Sequence, residues 1–249
     1  MIIFRHDSTY GGGNSEVYKG VCAESIEVQE NGVTHLVDLL KGAGTGFEFA
    51  HRANRARIAP LSSQKRVLDL FCGTGGFGLH AAGAGASEVT FVDTRQEYLD
   101  LARKSADVNG YGTSTALTFL QRDATTFLDE RIANAEATND GQELFDVIVC
   151  DPPNLCRNPK PDMVMNACRQ YEKLLLRCVK LLSRNGILFT TVNSPFLGRD
   201  DLNDSLRRAI HHSKKNAHII FEGGADADFP GLFAFPESQC MKTVAVCVD

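Results

Sequence analysis

No hydrophobic run in this chain approaches the roughly 18–20 residues that a bilayer-crossing helix needs, so a membrane-spanning protein is not expected. Its first residues, MIIFRHDSTYGGG, have neither the apolar stretch of a secretory leader nor the Arg and Ser richness of a transit peptide, which points to a soluble, cytoplasmic chain. Surplus positive charge is missing as well. The 26 Lys and Arg are outnumbered by 31 Asp and Glu, for a net charge of −5. That argues against a protein carried onto nucleic acid by bulk charge, but not against an enzyme that meets RNA through a local basic patch. The eight cysteines, at positions 22, 72, 150, 156, 168, 178, 240 and 247, contain no C-x-x-C pair. Neither a metal site nor a disulfide framework is therefore expected, and reduced thiols fit a cytosol-like compartment. Internal repeats and low-complexity tracts are absent too. What remains is an ordinary globular composition, 43% hydrophobic over 249 residues, enough for one large domain or one domain with a small appendage.

Residues 1–58 read as a β-rich entry segment. SIEVQENGVTHLVDLL holds two short apolar runs about Asn31-Gly32, a hairpin signal because both turn positions favour φ > 0. A glycine-rich link, GAGTG at 42–46, leads to a helix near 50–58. The main domain, 59–249, then alternates strand and helix. RVLDLF (66–71), EVTFVD (88–93), TALTFLQ (115–121), FDVIVC (145–150) and NGILFTTVN (185–193) read as strands. Helices are expected over 77–85, after Thr94, from about 129, over 162–183 and over 200–212. Thr94 and Glu97 form the capping box that opens the second of these, and Asn109-Gly110 ends it. Strands apolar on both faces, alternating with helices, predict an α/β fold with a parallel, doubly wound sheet. AHIIFE (217–222) and KTVAVCV (242–248), with no helix between them, predict an antiparallel pair at one edge.

The stretch FCGTGGFG (71–78) follows a strand and opens a helix, where backbone N–H groups can approach a ligand closely. Gly73, Gly75 and Gly78 satisfy G-x-G-x-x-G, and Asp93 ends the next strand, where a carboxylate can accept ribose hydroxyls. On its own this fits either a nicotinamide enzyme or an S-adenosylmethionine (SAM) enzyme. Asp69, just ahead of the glycines, suits a cationic amino-acid cofactor better than a pyrophosphate. Asp123, ending the third strand, is placed either to cap a helix or to accept the adenine amino group. Phe71, Thr74 and Thr94 adjoin these positions and complete the candidate cofactor set read from this half.

CDPPN (150–154) follows the fourth strand directly. Pro152 and Pro153 remove two backbone donors and fix φ near −65°, leaving a rigid loop edge made of acceptors. Methyl transfer to an exocyclic amine needs such acceptors, which Asp151 and the Pro152 carbonyl supply; nicotinamide folds have no use for the element. SAM is the expected cofactor, with Asp151, Pro152 and Pro153 as the catalytic candidates.

These motifs, in this order, resemble the class I SAM-dependent methyltransferases close to the large-subunit ribosomal RNA methyltransferase I family and the K half of its bifunctional relative. ENGVTHLVDLLKGAGTGFEFAHRANR is similar to the family's lead-in, VLDLFCGTGGFGLHAAGAGASEVTFVDTRQEYLDLARKSADVNG to its cofactor-binding half, and FPESQCMK to its Y-P-E…L-K element. The resemblance implies a seven-stranded, Rossmann-like SAM fold acting on RNA. It also implies that Gly73, Thr74 and Gly75 face the methionine part, Asp93 the ribose and Asp123 the adenine. Phe47, Arg52 and Arg55 would close over the cofactor, one arginine meeting its carboxylate; by sequence alone, HRANRAR also spaces these arginines like an exposed helix face.

Three departures bear on the chemistry. Cytosine-5 members carry a cysteine in the strand-five motif, because C5 becomes nucleophilic only after a thiolate adds at C6; here TTVNS places Asn193 there. Asn154 stands where an aromatic often follows Pro-Pro. The RNA-binding domain that usually precedes the catalytic half is missing, which would leave RNA contact to residues 1–58 and to Arg207-Arg208 and Lys214-Lys215. The expectation is a SAM-dependent methyltransferase acting on an RNA base, at nitrogen rather than at cytosine C5. A non-catalytic SAM-fold RNA- or partner-binding protein is the alternative, and an NAD(P)-dependent oxidoreductase a weaker one. Cys156 is a reserve nucleophile beside its reading as a buried structural thiol.

Overall fold

The fold is a computed structural model that describes residues 2–5, 15–21, 23–40, 45–138, 143–156, 159–235 and 238–249. Cys22 and most of the 42–46 glycine link lie outside the described residues. Two hairpins come first. Strands β1 (Ile2–Arg5) and β2 (Ser15–Lys19) pair antiparallel, as do β3 (Ile26–Glu30) and β4 (Val33–Val37). Asn31 and Gly32, at φ 49° and 82°, make the two-residue turn the sequence predicts. Strand β4 is buried along its length and lies across a helix of the main domain, where the Leu36 N–H donates to Ser105 Oγ at 2.8 Å.

The main sheet has seven strands: β5 (Arg66–Leu70), β6 (Glu88–Asp93), β7 (Ala116–Gln121), β8 (Phe145–Cys150), β9 (Leu182–Asn193), β10 (Ala217–Gly223) and β11 (Met241–Val248). Their order is β10-β11-β9-β8-β5-β6-β7, and β11 alone runs antiparallel to its neighbours. The closing pair is thus antiparallel, with β11 wedged between β9 and the edge strand β10. Helices α1 (Arg52–Ile58), α2 (Gly76–Gly83) and α3 (Gln96–Asn109) precede α4 (Ala124–Thr138), α5 (Pro161–Lys180) and α6 (Arg199–His212).

Strand side chains alternate between two cores, one on each face of the sheet. Val67, Val147 and Val149 pack with Ile58, Phe77, Leu79, Leu99 and Ala106 of α1–α3. Leu68, Leu70, Ile148 and Cys150 pack with Leu128, Tyr171, Leu175, Leu202 and Ala209 of α4–α6. Asp69 shares its face with Val67 and is 1% exposed, a buried carboxylate on an otherwise apolar strand. Gly78 is required by packing, because a Cβ there would stand 2.2 Å from the Phe91 ring of β6. The predicted box at Thr94 does not form. Asp93 Oδ1 accepts the Arg95 N–H at 2.9 Å, so α3 starts one residue later, with Arg95 at its N-cap and no side-chain cap. Strand order reverses between β5 and β8, and a ligand crevice is expected outside the carboxyl ends of the strands at such a switch point.

Candidate active site

Two adjoining cavities open at that point. One, of about 230 Å³, is lined by Thr45, Phe47, Glu48, His51, Arg55, Asp69, Cys72, Gly76 and Phe77. The other, of about 350 Å³, is lined by Val92, Asp93, Thr94, Arg95, Tyr98, Arg122, Ala124 and Pro153. Gly46, Phe71, Gly73 and Asp151 border both.

The glycine turn is pinned from two sides. Its Gly73 N–H donates to Asp93 Oδ2 at 2.9 Å, and the Thr74 N–H to the Gly46 carbonyl at 3.1 Å. Gly73 has φ +54°, and a Cβ there would come within 2.4 Å of the Gly46 oxygen. The lead-in segment therefore lies directly over the turn. Phe71 is left-handed, φ 58°, a conformation that costs a non-glycine residue about 1–3 kcal/mol; it bends the chain sharply out of β5 at the cavity mouth.

Asp69 Oδ2 accepts the Gly78 N–H at 2.7 Å. Burial, together with the charges of Asp151 and Asp93, pushes its carboxyl up to about 7. A buried acid facing a cavity with so little compensation calls for a cation. Asp93, with one backbone donor on each oxygen, keeps lone pairs for two hydroxyls.

Asp151 is held by two elements that sequence spacing did not connect. His51 Nε2 lies 3.1 Å from Oδ2, and the Thr191 hydroxyl of β9 donates to Oδ1. Burial would raise this carboxyl, but His51, Thr191 and the Arg55 charge hold it below the usual carboxylate range. His51 itself is 1% exposed.

The two lead-in arginines part company. Arg55 is 2% exposed and lines the smaller cavity, its Nε and Nη2 bound to Glu30 at 2.6 and 2.8 Å and Nη1 to the Glu48 carbonyl at 2.9 Å. It stacks over Phe47 at 4.4 Å. Arg52 is engaged elsewhere, bonding Asp228 and Asp226 at 2.6 Å each and thereby tying α1 to the β10–β11 loop. Asp123 is exposed, and its Oδ1 accepts from the Thr126 N–H at 2.9 Å in the manner of a helix cap; Arg122 and Ala124 beside it line the cavity. Thr94 lines the larger cavity, and Gly75, left-handed at φ +80°, opens α2 beneath. Cys156 is 1% exposed within the α4–α6 core, the position of a structural thiol. Asn193 accepts from the Cys240 thiol at 2.8 Å.

The basic pairs on and after α6 have other uses. Arg207 bonds Asp204, Arg208 lies 3.7 Å from Glu172, and Lys215 donates to the Val179 and Leu182 carbonyls. They sit at the C-terminal end of α6, opposite the crevice. Glu30, His35 and His80 also converge, with one ligand atom each within 4.8 Å. Glu30 is already neutralised by Arg55, and that permanent charge opposes a metal ion.

The buried Asp69 carboxyl and the Asp93 carboxylate at this crevice fit a ligand with a cationic end and a pair of hydroxyls. A family model for S-adenosylmethionine-dependent methyltransferases matches residues 3–226. The chain is 34% identical over 223 residues to ribosomal RNA large subunit methyltransferase I of Aeromonas salmonicida, covering 90% of this chain and 54% of that protein. It is 32% identical over 220 residues to the protein of the same name from Escherichia coli O139:H28, with coverage of 88% and 53%. The chain therefore spans about half the length of these curated relatives. Among solved structures, a protein described as a methyltransferase in complex with SAH has TM-score 0.78 at 22% identity, over 94% of this chain and 58% of that one. The SAM-dependent methyltransferase from Agrobacterium tumefaciens has TM-score 0.71 at 19% identity, over 98% and 76%. The nicotinamide alternative falls with these matches, and the chain belongs to the S-adenosylmethionine-dependent methyltransferases.

Proposed function

We propose that this methyltransferase acts in the cytoplasm on RNA, transferring the methyl group to a base nitrogen; the names of its relatives point to ribosomal RNA. The position of Asp151 carries the reading. It borders both cavities on a loop whose Pro152 and Pro153 offer acceptors and no donors.

SAM, when bound, supplies an electrophilic methyl on a sulfonium. Asp69 would hold its cationic end and Asp93 its ribose. Val92 and Tyr98, which line the larger cavity, would flank its adenine near Asp123, and Gly46 and Phe47 of the lead-in would close over it. Arg55 retains N–H hydrogens beyond those bound to Glu30 and Glu48 and remains the arginine placed to meet the carboxylate. Asp151 and the Pro152 carbonyl accept hydrogen bonds from the acceptor N–H, turning the nitrogen lone pair toward the methyl. Asp151 would also give the proton released from the acceptor nitrogen a path toward water. Positioning accounts for most of the rate in such a transfer.

For RNA contact, the β10–β11 loop is better placed than the basic pairs of α6. Phe229, Leu232, Phe233 and Phe235 are all exposed there, Phe233 fully, and stacking on such rings tolerates any base. A cavity of about 580 Å³, lined in part by Phe229, Gln239 and Lys242, lies beneath.

Incubation with methyl-labelled SAM and size-fractionated cellular RNA, followed by nucleoside analysis, tests the proposal. An N-methylated nucleoside from ribosomal RNA is expected; no label despite SAM binding would overturn it. One contact favours a second reading. The Cys240 thiol beside Asn193 places sulfur at the end of β9, two residues past Thr191 on the same strand face. Recovery of 5-methylcytidine, lost in Cys240→Ser, would select cytosine C5 chemistry instead.

A further inference from the structure

The inference rests on Asp151 acting at the acceptor and concerns what holds Asp151 in place. His51 closes a hydrogen-bonded chain that starts in the β10–β11 loop. The Gly224 carbonyl can only accept, so the Asn54 atom 3.0 Å away is its amide nitrogen. That same nitrogen lies 3.2 Å from His51 Nδ1. Nδ1 must then accept, the ring proton sits on Nε2, and Nε2–H donates to Asp151 Oδ2. Asn54 is fully buried, and its Oδ1 lies 3.4 Å from the Thr243 hydroxyl, which leaves it no freedom to flip. The imidazole is wedged edge-on against Phe77 and Phe189, with ring centroids 5.1 and 6.4 Å away.

We propose that His51 is a positioning residue for Asp151: locked by Asn54 as the Nε2–H tautomer, it fixes one carboxylate oxygen so that, with Thr191 on the other, both present their remaining lone pairs to the acceptor base. The Asn54 amide hydrogens face Nδ1, so the ring proton that reaches Asp151 is the one on Nε2. Asp151 then orients an N–H without taking its proton permanently.

The groups facing Asp151 are His51 from the turn just ahead of α1, Arg55 from α1, Asp69 from β5, Thr191 from β9 and Tyr171 from α5, with Cys150 just before it. Of these, His51 is the one that donates to Oδ2, through Nε2.

The test compares His51→Leu, which keeps bulk without a donor, with His51→Gln, which restores a side-chain N–H. In the RNA methylation assay, His51→Leu should lower kcat by about tenfold to a hundredfold with KM for SAM within about twofold. It should also move the acid limb of the kcat profile to higher pH, because Asp151 loses a donor. His51→Gln should recover most of kcat and return the limb. Equal kcat in the two variants, at any level, would overturn the proposal, since filling space would then be the whole role. Should either variant fold poorly, a long-range ¹H–¹⁵N spectrum of the wild-type protein decides: Nε2 protonated and Nδ1 bare is expected, and a protonated Nδ1 refutes. Asp151→Asn serves as the separate control. Full turnover in that variant would remove the reading of Asp151 itself, whereas its loss alongside an unaffected His51→Leu would remove only the role of His51.

Discussion

Asp69 makes cofactor binding sensitive to pH in a direction that the structure sets. Its carboxyl, buried beneath the glycine turn, titrates near 7. At pH 6 such a group is about nine-tenths protonated, and at pH 8 about nine-tenths ionised. The cationic end of SAM favours the ionised form, so binding must pull the proton off. SAM should therefore bind more weakly at pH 6 than at pH 8, by up to about tenfold or 1.4 kcal/mol, with the gain trimmed near pH 8 as the α-amino group of SAM, which ordinarily titrates at about 7.7–8.0, loses its proton. Calorimetry in buffers of differing ionisation enthalpy should detect release of close to one proton at pH 6. 5′-Methylthioadenosine, which lacks the amino-acid end, should show neither effect. Asp69→Asn should abolish the pH dependence and bind SAM weakly throughout. An unchanged Kd from pH 6 to 8, with no buffer-dependent heat, would refute the reasoning.

Three further outcomes follow from the packing. Asp93→Ala should weaken SAM binding and also loosen the glycine turn, since it removes the Gly73 hydrogen bond; faster amide exchange at residues 73–75 would show the second effect. Glu30→Gln leaves Arg55 buried without its counter-charge and should cost about 3–5 kcal/mol in urea unfolding. In the wild type, Glu30 is depressed from its usual 4.5 to about 2 by Arg55 and His80 against the opposing effect of burial. About 3 kcal/mol of stability should thus be present above pH 4.5 and lost as pH falls toward 2, a loss that Glu30→Gln removes. Gly78→Ala drives a methyl into the Phe91 ring and should destabilise by about 1–3 kcal/mol, measured by thermal unfolding.

The sheet was legible because its central strands are apolar on both faces and three of them, β5, β6 and β8, lead into a chemically marked residue, Asp69, Asp93 or Asp151. Those marks depend on spacing within about 30 residues, which sequence displays directly. The contacts that complete the site do not. His51 meets Asp151 across 100 positions and Arg52 meets Asp228 across 176, while Arg55 reaches Glu30 from a different element with no motif to link them. HRANRAR looked like one exposed helix face, yet Arg52 and Arg55 differ wholly in burial because β3 and the β10–β11 loop approach α1 from different sides. Thr94 failed as a helix cap because the helix begins one residue later, with Arg95 at its N-cap. His51 carried one usable signal, a histidine beside Asn54 in the segment already expected over the cofactor.

The central claim is that methyl transfer to an RNA base takes place at Asp151. Its most direct test is a single assay with methyl-labelled SAM, ribosomal RNA and equal amounts of wild-type and Asp151→Asn protein, with SAM binding measured in both. The account predicts label in RNA from the wild type, none from the variant, and SAM bound by each. Equal labelling by the two, or none from a SAM-bound wild type, would contradict it.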